Sequence, residues 1–137
     1  MGLDMYLYRK SVDGKPVIKK WAGANEEELS FEVPGHEIAY WRKANQVHNW
    51  FVKNVQDGVD ECQKSDVSYD QLMVLYKLAK QALVDRNPEL LPPCEGFFFG
   101  PTEIDEWYWH NLVETCEMLS AALKGSREQE FIYESSW

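Results

Sequence analysis

From Leu3 to Arg9 the chain alternates, with Leu3, Met5 and Leu7 set against Asp4, Tyr6 and Tyr8. Period two puts the first set on one face of a strand and the second on the other. Asp13-Gly14 supplies a turn, and Lys15 to Trp21 a second strand that Pro16 confines to a sheet edge. Ala22 to Ser30, with its Glu26-Glu27-Glu28 run, reads as a solvated loop. After Pro34-Gly35 the period lengthens. From Ile38, the positions Tyr40, Trp41, Ala44, Val47, Phe51, Val52 and Val55 fall on one helical face, which predicts a helix from Glu37 to Val55 with Asp57-Gly58 as its exit.

Ser68-Tyr69-Asp70-Gln71 is a capping box, because a serine hydroxyl and a glutamine three residues on can satisfy each other's backbone N–H groups. It opens a second helix that runs to Asp85 and is closed by Asn87-Pro88. A proline-bearing segment, Leu90 to Gly100, leads to Thr102-Glu103-Ile104-Asp105, a second cap, and a third helix to Lys124. Phe131-Ile132-Tyr133 reads as a closing strand. With no repeat, low-complexity tract or linker, residues 1–137 form a single α+β domain, three main helices packed on a small, mostly antiparallel sheet.

Hydrophobic residues make up 45% of the chain, yet no apolar run approaches the roughly 18 residues of a membrane span. The N-terminal residues lack the basic start and apolar run of a signal peptide, so a cytoplasmic protein is expected. Three cysteines, Cys62, Cys94 and Cys116, with no C-x-x-C pair, predict reduced thiols rather than a disulfide framework or zinc knuckle. The net charge of −9 argues against bulk nucleic acid and anionic membranes as partners. That charge is uneven: residues 1–53 carry eight basic and seven acidic groups, residues 54–137 six and sixteen. An anionic ligand therefore belongs to the first half.

The chemistry is concentrated in Tyr40 to Phe51. Trp41 offers a face for stacking, Arg42 and Lys43 offer charge for phosphate, and Asn45, His48 and Asn49 offer hydrogen bonds to base edges. These six are the candidate ligand-binding residues. His48 sits in the apolar face, where it is either a satisfied core histidine or the floor of a pocket. Trp50 falls on the solvent side of the predicted helix, and three consecutive phenylalanines cannot all point inward from an extended segment. Trp50, Phe97, Phe98 and Phe99 are therefore candidates for an oligomer interface or a pocket rim.

Catalytic signatures are missing. Gly96 to Thr102 imitates a phosphate loop without its lysine, and Glu103, Asp105 and Glu106 at the following helix start would repel phosphate. His36, His48 and His110 lack metal-ligand spacing, and His110 is best paired with carboxylates on its own helix. No nucleophile stands beside a base, so neither catalytic residue, metal nor cofactor is assigned.

Met1 to Leu7 together with Glu37 to Asn45, His48-Asn49-Trp50-Phe51-Val52, Val55-Gln56-Asp57-Gly58, Gly96 to Gly100 and Ser135-Ser136-Trp137 resembles a widespread family of small proteins encoded by bacteriophages and prophages. That family is similar to the phage anti-CBASS sponges, which bind the cyclic nucleotide signals of a bacterial immune system and withhold them from effectors. The resemblance implies a non-catalytic binding protein in the cytoplasm of an infected or lysogenic bacterial host, with a cyclic di- or trinucleotide as ligand. Homo-oligomerisation would build its pocket from two chains. Two alternatives stay open, an acidic inhibitor that masks a basic surface of a host defence protein and a small nucleotide-modifying enzyme using His48.

Overall fold

The computed structural model describes residues 2–11, 15–22, 28–94 and 102–137, with side chains outside 19–31. Strand β1, Asp4–Arg9, is followed by β2, Val17–Ala22, and β3, Glu28–Val33, which pair antiparallel as a two-stranded sheet. Strand β4, His36–Arg42, returns to β1; helix α1, Asn45–Asn54, and strand β5, Ser65–Ser68, come next. Helix α2, Tyr69–Asp85, a short turn of 3-10 helix at Pro88–Leu90, helix α3, Glu106–Ala122, and strand β6, Glu130–Ser136, complete the order. The main sheet runs β4-β1-β6-β5, every pair antiparallel. This is the expected α+β class, with three helices and a mostly antiparallel sheet.

The alternation read in β1 is what sorts the sheet's faces. Leu3, Met5 and Leu7 are fully buried, joined on the inner face by Ala39, Trp41, Val67, Phe131 and Tyr133. Leu72, Leu75, Ala79 and Ala82 of α2, Leu112 and Leu119 of α3 and Val47 and Phe51 of α1 close over them. Phe51 lies flat on Tyr133, ring centroids 3.9 Å apart, and meets Trp41 edge-on. The capping box forms as read: Ser68 Oγ accepts from Gln71 N–H, and Gln71 Oε1 accepts from Ser68 N–H.

The predicted helix from Glu37 is corrected. Its first third is strand β4, in which Ala39 opposes Leu7 and Trp41 opposes Met5 on the inner face, while Tyr40 opposes Tyr6 and Arg42 opposes Asp4 on the outer. A register shift opposite Leu7/Tyr8 makes Ile38 the extra residue of a bulge. Lys43, at φ 55°, then turns the chain into a helix that begins only at Asn45. Ladder hydrogen bonds to β1 outweigh a helical period that this stretch shares with strand alternation. The early helix start also misplaced Trp50, which is only 7% exposed and packs edge-on to Phe51 rather than facing solvent.

Three smaller differences follow. Glu28 to Ser30, read as loop, belong to β3. Strand β5 is too short to leave a period in the sequence, and it exists because β6 offers it a ladder from Ser65↔Tyr133 to Ser68↔Glu130. Helix α3 is capped by Asp105, whose Oδ1 accepts from Tyr108 N–H, rather than by Thr102. The Asp13-Gly14 turn, the Gly96 to Gly100 segment and the aromatics Phe97, Phe98 and Phe99 lie outside the described residues. No described helix is long and apolar enough to cross a membrane.

Candidate functional site

The six residues nominated from the sequence divide between two environments. Trp41 points into the core, where its Nε1–H donates to Thr115 Oγ1 at 2.8 Å and the threonine hydroxyl donates to Asn111 O. Asn45 is buried, its Oδ1 accepting from Cys94 N–H, and neighbouring Gln46 donates to Tyr108 O. Asn49 reaches Pro92 O at 3.4 Å. Asn49 and Trp50 line a hollow of about 120 Å³ with Gln46, Lys53 and Leu90 to Pro92, too small for a nucleotide.

His48 has no exposed surface. Its Nδ1 lies 2.6 Å from the Tyr133 hydroxyl and its Nε2 faces Asp60 Oδ1 at 3.0 Å; the same carboxylate oxygen accepts from Trp137 Nε1–H at 3.0 Å. A carboxylate opposite Nε2 calls for the proton there, so Nδ1 is the acceptor and Tyr133 the donor. Burial pushes the imidazole pKa down against the pull of Asp60, and burial raises the Tyr133 phenol well above its ordinary value. The neutral ring is thus a core histidine fastening α1 to β6 and to the segment before β5.

Arg42 and Lys43 behave differently. The outward alternation of β4 lifts Arg42 to the open sheet face, where Nη1 meets Asp4 Oδ1 at 2.9 Å and the Tyr40 hydroxyl donates to the same oxygen. Tyr40 is 40% exposed, its ring centroid 5.4 Å from that of Tyr6, which lies 6.1 Å from Tyr8. Lys43 swings back through its left-handed backbone, held by its N–H to Leu3 O. Both basic side chains pass over Gly2: a Cβ placed there would stand 3.1 Å from Arg42 Nη2 and 3.2 Å from Lys43 Cε. The missing Cβ gives the two side chains a few tenths of an ångström more room over the buried glycine backbone. Burial and the carboxylates of Asp4, Glu37 and Glu134 raise the Tyr6 pKa, so both tyrosines stay neutral hydrogen-bonding groups.

A second concave surface had no counterpart in the sequence reading. An open cleft of about 700 Å³ lies between the end of α2 and the start of α3, lined by Leu83, Arg86, Glu106, Trp107, Trp109, His110 and Val113. Arg86 caps α2 in the left-handed region, at φ 50° and ψ 43°, where glycine is the usual occupant. Its guanidinium rests over the Trp109 ring, 4.9 Å from the centroid. Trp107 is 47% exposed beside His110, whose Nε2 meets Glu114 as its helical spacing suggested. The signal for this cleft was faint: two tryptophans either side of a tyrosine cannot all face one core.

Cys62, Cys94 and Cys116 are half-buried and form no disulfide. Among the described residues no three His, Cys, Asp or Glu side chains gather closely enough to hold a metal ion. No protein-family model, curated protein or solved structure matches the chain.

Proposed function

We propose that the protein acts by sequestration, holding a cyclic di- or trinucleotide intact at the corner formed by Tyr6, Tyr40, Arg42 and Lys43. What supports this reading is the convergence of Arg42 and Lys43 over Gly2, with Arg42 sharing Asp4 with the exposed Tyr40, whose ring meets the half-buried Tyr6. A base stacks on the Tyr40 ring, and phosphate oxygens draw the guanidinium from Asp4 and the ammonium from the hollow it lines with Glu103 and Asp105. Of the nominated residues, Arg42 and Lys43 keep a ligand role, while Trp41, Asn45 and His48 hold the corner's supporting structure. His48, sealed from solvent, is poorly placed to act on a substrate, so no turnover is expected.

The corner is shallow, and a second copy of the chain closing over it would enclose the ligand. The expected setting is the cytoplasm of a phage-infected or lysogenic bacterium. The test is a thermal-shift screen with cyclic di- and trinucleotides and mononucleotide controls, followed by calorimetry on the hit. Arg42→Ala and Lys43→Ala should each weaken binding by about tenfold or more with an unchanged melting temperature. Heating the complex should release the nucleotide unaltered. Absence of any cyclic nucleotide hit, or affinity indifferent to both substitutions, would overturn the reading.

A further inference from the structure

We propose that the cleft between α2 and α3 docks a basic segment of a partner protein, with an arginine or lysine side chain seated on the exposed indole of Trp107. This site does not rest on the Tyr40 corner, although Lys43 of that corner and Trp107 line one small hollow together with Glu103 and Asp105. Leu83, Trp109 and Val113 give the cleft an apolar floor, and its volume of about 700 Å³ takes several side chains. The charge around it is mostly negative, with Arg86 set against it on the lining and Lys43 beside Glu103 and Asp105 in a small hollow that Trp107 also lines. Glu106 lines it, Glu114 reaches its edge through His110, and Glu103 and Asp105 precede it; among the described lining residues Arg86 is the one permanent cation.

That arrangement repels phosphate and attracts ammonium or guanidinium. The cleft also contains a template for the contact, because Arg86 already lies on Trp109 as an incoming arginine would lie on Trp107. Arg86 holds that place from a left-handed backbone that a non-glycine residue seldom adopts. An exposed tryptophan with an apolar floor and a carboxylate rim matches the composition of an interface hot spot for a cationic partner.

The probe is a fluorescein-labelled peptide of alternating leucine and arginine, titrated by anisotropy into the full chain, with the leucine-glutamate peptide as control. Saturable one-to-one binding of the basic peptide is expected. Trp107→Ala and the double variant Glu106→Gln/Glu114→Gln should each weaken it at least tenfold, and Arg42→Ala should leave it unchanged. Arg86→Ala carries the sharpest sign: removing the resident cation should tighten the basic peptide about threefold or more, whereas an anionic occupant would be weakened. The proposal is overturned by weaker peptide binding in Arg86→Ala, by equal binding in Trp107→Ala, or by preference for the acidic peptide. A doubling of mass in light scattering that Trp107→Ala abolishes would assign the cleft to a second copy instead.

Discussion

Trp41 and Arg42 are neighbours in sequence on β4, yet they belong to opposite kinds of surface. On the inner face the polar atoms of the large rings are committed: the indole N–H of Trp41 to Thr115, the His48 ring between Tyr133 and Asp60. On the outer face Arg42 and Tyr40 share one oxygen of Asp4, a pair that water or a phosphate can replace. An unmet buried donor costs its whole desolvation, whereas an exposed pair exchanges partners at little cost. The inner face therefore fixes how the elements pack, and the outer face is free to bind.

Substitution across that divide should give the largest contrast. Trp41→Ala leaves a void and removes the donor to Thr115 Oγ1, and a loss of about 3–5 kcal/mol in chemical denaturation is expected. Arg42→Ala one residue away should leave the denaturation midpoint unmoved. Comparable losses for the two would erase the distinction. Next in size, His48→Ala removes a buried ring and the partners of Tyr133 and Asp60, for about 2–3 kcal/mol, and Tyr133→Phe removes the hydroxyl alone, for about 1–2 kcal/mol.

Acid offers a gentler probe of the same ring. The folded state lowers the His48 pKa beneath its unfolded value near 6.5, chiefly by burial. The folded chain then binds fewer protons than the unfolded one. Its contribution to stability is present above about pH 6.5 and is lost as pH falls from there through the lower folded pKa. His48→Gln should flatten the stability profile across that window, and an identical slope in the variant would mean that the ring titrates alike in both states. The smallest expected effect is at a helix end: Ser68→Ala should cost about 1 kcal/mol through the lost cap, with ligand and peptide binding untouched.

What the sequence revealed follows the range over which each signal acts. The Ser68-Gln71 box and the alternation of β1 are local, and both stand as read. Ile38 to Arg42 satisfy a helical and a strand period together, and only pairing with β1 decides between them. His48 was legible as an ambiguity; its resolution required Asp60 and Tyr133, the latter on strand β6 far along the chain. Arg42 and Lys43 were named from charge, but the tyrosine pair beside them is assembled across strands by register, which no single segment records. The α2–α3 cleft depends on how two helices meet and left only a surplus of tryptophan.

The strand order β4-β1-β6-β5 also governs when the molecule can become itself. Asp4 pairs with Ser136 and Arg9 with Phe131, so the two central strands come from opposite ends of this sequence. Closing so long a loop sacrifices chain entropy before any ladder bond repays it, which makes β1–β6 pairing a late and slow event. During synthesis β1 can meet β4 and α2 can coil, while Phe131 and Tyr133, which fill the centre of the core, are still to be added. The inner face stays open until then. A nascent chain of this topology exposes its most apolar surface from the synthesis of β1 until that of β6, and a chaperone that shields it over that interval should raise its yield.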